Sequence, residues 1–128
     1  MTQAEAKAYL IRASDAASDA VCCEYEYRWA MDGIERIRAM REQKALAPAI
    51  AKLKRYARSN HTKREALVRM REDAAARIDR MTDKRAREIL RRRYLQRETW
   101  EQIGAAIMYD PHYCARLHKK ALSAFGSM

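Results

Sequence analysis

Residues 99–118 read Thr99-Trp100-Glu101-Gln102-Ile103-Gly104-Ala105-Ala106-Ile107-Met108-Tyr109-Asp110-Pro111-His112-Tyr113-Cys114-Ala115-Arg116-Leu117-His118, and they spell two short helices with almost nothing between them. Thr99-Trp100-Glu101-Gln102 fits a capping box, in which the threonine hydroxyl accepts from a free N–H of the first turn while the glutamine reaches back to the cap. Trp100, Ile103, Ala106 and Ile107 then form one apolar face. Asp110 is a good N-cap and Pro111 suits the first helical position, because the N–H that proline lacks would be unpaired there anyway. The second helix turns Cys114, Leu117, Ala121, Leu122 and Phe125 inward. So short a turn between Ile107 and Pro111 forces two compact helices to cross steeply, the geometry of a helix-turn-helix.

Upstream, Thr82 or Asp83 caps a helix through Ala86, Ile89, Leu90 and Tyr94, and Leu95-Gln96-Arg97-Glu98 holds no helix-breaking residue. From Ala4 to about Lys44 there is no proline, and Leu10, Ala13, Ala17, Ala20, Tyr27, Met31 and Ile34 alternate by three and four, a helical stripe. Glu24 and Gly33 interrupt it, so either two shorter helices or a single one of about 40 residues and roughly 60 Å is allowed. Pro48 starts a short basic segment with Ile50, Leu53 and Tyr56, which Ser59-Asn60 ends. Thr62-Lys63-Arg64-Glu65 fits a second capping box, opening a helix with Leu67, Met70, Ala74, Ile78 and Met81 on its stripe. The two stripes can pair as an antiparallel hairpin within one chain or between copies, and the sequence does not choose. The expected architecture is all-α: residues 1–81 as a helical hairpin or coiled-coil segment with a basic connector near 44–61, and residues 82–128 as the helix-turn-helix.

Composition agrees with helices. Among 128 residues there are three glycines, two prolines and one phenylalanine. No apolar run is long enough for a membrane span and no signal pattern opens the chain, so a cytoplasmic protein is expected. Cys22, Cys23 and Cys114 are odd in number and lack a CxxC pair, which points to reduced thiols. The 27 basic against 17 acidic residues give +10, the electrostatics of a polyanion binder. That charge is uneven: residues 1–43 carry six basic and eight acidic groups, 44–61 five and none, 62–128 sixteen and nine. Cys114 and His118 lie four apart on a helix, but no further ligands accompany them, so no metal or other cofactor is expected. Without a phosphate loop or a nucleophile with its base, neither is catalysis.

The run Arg87-x-Ile89-Leu90-x-x-Arg93-Tyr94-Leu95, then Thr99-Trp100-Glu101-Gln102-Ile103-Gly104, then Arg116-Leu117-His118-x-x-Ala121-Leu122 resembles region 4 of bacterial sigma factors. More narrowly, it is similar to small phage-encoded proteins that join a long helical segment to such a helix-turn-helix, late transcriptional regulators among them. The likeness covers about 78–125. It implies a sequence-specific reader of double-stranded DNA in a bacterial host cell, a phage or prophage transcriptional regulator, with the N-terminal helices contacting RNA polymerase; the stripes of those helices allow them instead to set a homodimer. A serine usually caps the last helix in that family and a β-branched residue sits on its inner face. Here Asp110 caps, and its charge opposes phosphate; Cys114 takes the inner place.

On the expected recognition helix, His112, Tyr113, Ala115, Arg116, Lys119 and Lys120 face outward. Arg116 is the candidate for base readout, His112 and Tyr113 for bases or phosphate, and Lys119 with Lys120 for phosphate. Of Arg91-Arg92-Arg93, the first two are candidates for the DNA backbone, while Arg93 is expected inward near Trp100 with an ion pair to Glu101. Tyr94, Trp100, Ile103, Ile107, Cys114, Leu117 and Leu122 are expected to be the structural core of the helix-turn-helix. Two other classes compete with this reading. One is a helical interaction or scaffold protein whose helix-turn-helix no longer binds DNA; the other is a DNA-packaging recognition subunit of the small terminase kind, assembled as a ring.

Overall fold

The structure is a computed structural model that describes residues 1–41 and 44–128, and among these residues it holds helices and no strand. Its α-helices are α1 (Gln3–Arg38), α2 (Ala47–Asp79), α3 (Lys84–Leu90), α4 (Trp100–Ile107) and α5 (Pro111–Gly126), with a π-helical turn, Arg91–Leu95, continuing α3. The chain is all-α. Glu42 and Gln43, inside the stretch expected to be helical to about Lys44, lie outside the described residues.

α1 is one helix of 36 residues. Thr2 and Glu5 open it reciprocally: the Glu5 N–H donates to the threonine hydroxyl at 3.1 Å and the Thr2 N–H to the Glu5 carboxylate at 3.3 Å. Glu24 does not break the helix because it stays at the rim, where Arg28 lies 3.1 Å and Arg64 3.2 Å away. α2 is also continuous, and this overturns the expected stop at Ser59-Asn60 and the capping box at Thr62. Asn60 lies inside the helix, and its side-chain amide donates to the Tyr56 carbonyl at 3.0 Å. Serine, asparagine and threonine cost a helix interior only a few tenths of a kcal/mol each, which the contacts of Ala57, His61 and Arg64 beside them offset.

By contacts the chain forms two compact units, Met1–Ala16 with Met70–Met128, and Ala17–Arg69. These differ from a break at 81, because the first turns of α1 and the last of α2 join the core of the C-terminal helices. In that unit Ala6, Leu10 and Ala13 meet Ala74, Ile78, Met81, Ala86, Leu90, Tyr94, Ala121, Leu122 and Phe125. The Arg77 guanidinium lies over the Tyr9 and Phe125 rings, 4.8 and 4.9 Å from their centres.

In the unit Ala17–Arg69 the helices run antiparallel, since partners fall in α2 as they rise in α1: Glu24 meets Arg64, Tyr27 meets His61, and Leu53 approaches Gly33. The buried residues are Ala20, Cys23, Ala30, Ile34 and Ala57. Of the expected stripe, Leu10, Ala13, Ala20 and Ile34 are buried, Ala17 and Tyr27 half-buried, and Met31 exposed. Cys23 and Ala30 take inner positions instead, because the closest line of approach selects small side chains.

Candidate nucleic-acid interface

Local capping sets where the short helices begin. The Asp83 carboxylate accepts from the N–H groups of Arg85 and Ala86 at 2.9 and 3.2 Å. Thr99 and Gln102 form the reciprocal box, at 2.8 and 3.2 Å. Asp110 accepts from the His112 N–H at 2.8 Å, with Pro111 next in the chain. Between α4 and α5 stand only Met108, Tyr109 and Asp110. Met108 takes the left-handed conformation, φ 61°, which ends α4 and turns the chain. The Tyr109 carbonyl then comes so close to Gly104 that a β-carbon there would lie 2.6 Å from its oxygen.

α5 is amphipathic. Cys114, His118, Ala121, Leu122 and Phe125 are buried on its inner side, and His112, Tyr113, Arg116, Lys119 and Lys120 are exposed; Ala115 is half-buried. After Asp110 the helix carries no acidic residue. The outward aromatic and basic groups form a ladder: Arg85 over the Tyr109 ring at 4.7 Å, Tyr109 against Tyr113 at 5.3 Å, and Arg116 over Tyr113 at 5.6 Å. Tyr113 thus restricts the Arg116 guanidinium before any ligand arrives. Arg85 and Tyr109 were not among the candidates; the spacing of four between the tyrosines was the available signal, but α3's approach to the turn is tertiary. An open groove of about 830 Å³ beside this ladder is lined by Lys84, Arg85, Glu88, Ile107, Leu117 and Lys120, among others.

The arginine run is held by its own chain. Arg91 pairs with Asp79, and Arg92 with Glu88 at 2.6 Å and Glu98 at 3.2 Å. Arg93 stacks 4.6 Å from the centre of Trp100 as expected, but its hydrogen bond goes to the Glu98 carbonyl at 3.0 Å and not to Glu101. The π-helical turn widens the backbone here, and the Glu98 N–H closes onto the Arg92 carbonyl at 2.9 Å, placing Glu98 among the arginines.

Tyr94, Ile103, Cys114 and Leu122 are buried as expected; Trp100, Ile107 and Leu117 are only half-buried. Ile107 and Leu117 reach the groove instead, because the cleft along α3 and α5 stays open. His118, considered only as a metal candidate, is a core residue. It lies edge-on to Trp100 at 4.9 Å, and its Nε2 is 2.7 Å from the Tyr94 hydroxyl. Burial, helped by the charges of Lys7 and Arg93, pulls its pKa down to about 4. Burial also raises that of Tyr94, so a protonated phenol donates to a neutral imidazole. The Cys114 thiol, 4.0 Å from the Tyr109 carbonyl, is pushed up by burial and then by the charge of Asp110. Among the described residues no three His, Cys, Asp or Glu side chains gather to hold a metal, and no helix is long and apolar enough to cross a membrane. No protein-family model matches the chain, and no curated protein or solved structure matches it.

Proposed function

We propose that the protein is a sequence-specific double-stranded DNA-binding regulator of phage or prophage transcription, with α4 and α5 as a sigma region 4-like helix-turn-helix and α5 in the major groove. The observation that carries this reading is the outer side of α5, where Arg116 stacks on Tyr113 amid exposed His112, Lys119 and Lys120. A guanidinium so restricted can donate two bonds to a guanine edge, while the lysines take phosphate. Arg91 and Arg92 contribute less, because carboxylates of the same chain already meet their charge. The paired helices α1 and α2 form the N-terminal hairpin of this arrangement. The protein acts in the host cytoplasm, with RNA polymerase as a second partner.

The test is selection of sheared bacterial and phage DNA on the purified protein at near-physiological salt, followed by sequencing. Enrichment of one short motif upstream of a gene block is the expected result. Arg116→Ala should lower discrimination among sequences by about 1–3 kcal/mol, whereas Lys119→Ala should weaken all sequences alike and reduce the salt slope by about one. Uniform retention that vanishes with added salt would reject the regulator and leave the helical interaction protein.

A further inference from the structure

The unit Ala17–Arg69 packs its helices the wrong way round for a unit that stands alone. Between α1 and α2 lie Ala20, Cys23, Ala30 and Ala57, with Ile34 the one large aliphatic residue buried there among the described residues. Tyr27 is half-buried against His61, but Tyr25 is 69% exposed, Trp29 62%, Val21 55% and Tyr56 42%. They are not scattered. Val21, Tyr25 and Trp29 recur every four residues along α1, and Trp29 meets Tyr56 of α2 edge-on at 6.0 Å. Tyr25, Trp29 and Tyr56, with Ala49, Lys52 and Leu53, wall a groove of about 900 Å³ that both helices share.

We propose that this groove is the interface of a homodimer, in which the same face of a second copy closes a four-helix arrangement. Three observations favour a copy over a foreign partner. Two helices joined through alanines cannot enclose large side chains, and four helices are a common arrangement that can. The exposed parts of Tyr25, Trp29 and Tyr56 alone offer roughly 250–450 Å², a third to a half of the ~800 Å² that each partner gives to a standard interface. The face is also self-complementary in charge. Within this unit α1 carries five acidic and three basic residues and α2 seven basic and one acidic, and the groove has Glu26 on one wall and Lys52 on the other. A two-fold axis running along the helices, the one that avoids like against like, brings each acidic α1 to the basic α2 of the other copy, so that Glu26 meets Lys52 twice. The dimer does not depend on the DNA-binding reading and can fail or hold without it.

Light scattering and sedimentation of the full chain over a wide concentration series test this. The mass should rise from 15.0 kDa to twice that value. Trp29→Glu and Tyr25→Glu should each hold the protein at one copy with unchanged helical circular dichroism, which these exposed positions permit. Glu26→Lys and Lys52→Glu should each weaken the dimer about tenfold, and the two together should restore it. Glu26 also accepts from the Tyr56 hydroxyl at 2.8 Å, so Tyr56→Phe, which should leave the dimer intact, separates that bond from the charge pair. A single copy at every concentration would overturn the proposal, even if that monomer held a foreign protein on this face. So would a dimer indifferent to Trp29→Glu, or a closed ring of more than two copies.

Discussion

His118 is the one of three histidines that the fold keeps from water, and its neutrality has a consequence in pH. Its folded pKa of about 4 lies below the ordinary value of 6.5, so between these limits the unfolded chain binds more protons than the folded one. Stability is then full above about pH 6.5 and falls as pH drops toward 4, by about 2–3 kcal/mol from this residue. Protonation turns Nε2 from the acceptor of the Tyr94 hydroxyl into a donor. Urea unfolding of the protein and of His118→Gln across this range should show a smaller acid loss in the variant; equal slopes would mean that carboxylates alone account for it. Asp110 offers a second test. Asp110→Asn keeps a capping oxygen, so stability should move by about 0.5 kcal/mol or less, while removal of a negative charge from the start of α5 should raise DNA affinity severalfold at fixed salt. No gain would place phosphate elsewhere. The sequence placed Asp110 correctly because a cap is local. It set His118 aside as a metal ligand but gave it no core role, because Tyr94 approaches from another helix.

At the scale of elements, the α4–α5 turn stores strain that can be relieved or worsened. Met108 is 89% exposed and buries little, yet it occupies a left-handed conformation that costs a side chain roughly 1 kcal/mol. Met108→Gly should therefore stabilise the protein by about that amount, read as a higher urea midpoint at unchanged slope. Gly104→Ala should do the opposite by about 1–3 kcal/mol, since its β-carbon would press on a backbone oxygen that no rotamer change can move. The beginnings of α4 and α5 were legible in the sequence, each from its cap, and that of α3 to within one residue, with Asp83 rather than Thr82 doing the capping. The unbroken course of α2 was not. Ser59, Asn60 and Thr62 carry weak local preferences for an end, and these yield to contacts with α1, such as those of His61 with Tyr27 and Arg64 with Glu24, that no short window contains.

For the whole molecule, the important fact is that the C-terminal helices share a core with residues near the start of the chain. Leu10 is fully buried among Ile78, Leu122 and Phe125 of one cluster. Leu10→Ala should cost about 2–5 kcal/mol and lower hydrogen-exchange protection in α5, far away in sequence. Protection lost only in α1 would show that the C-terminal helices hold together without it. By itself the sequence determined the all-α class, the caps of the short helices and the outward basic side of α5, because these follow from neighbours within a turn or two. Only the tertiary structure decided which stripe of α1 turns inward, that Arg91 and Arg92 are met by carboxylates, and that Trp29 and Tyr25 stay outside. Those outcomes depend on which small side chains let two long helices approach, and on charges brought together by folding rather than by spacing.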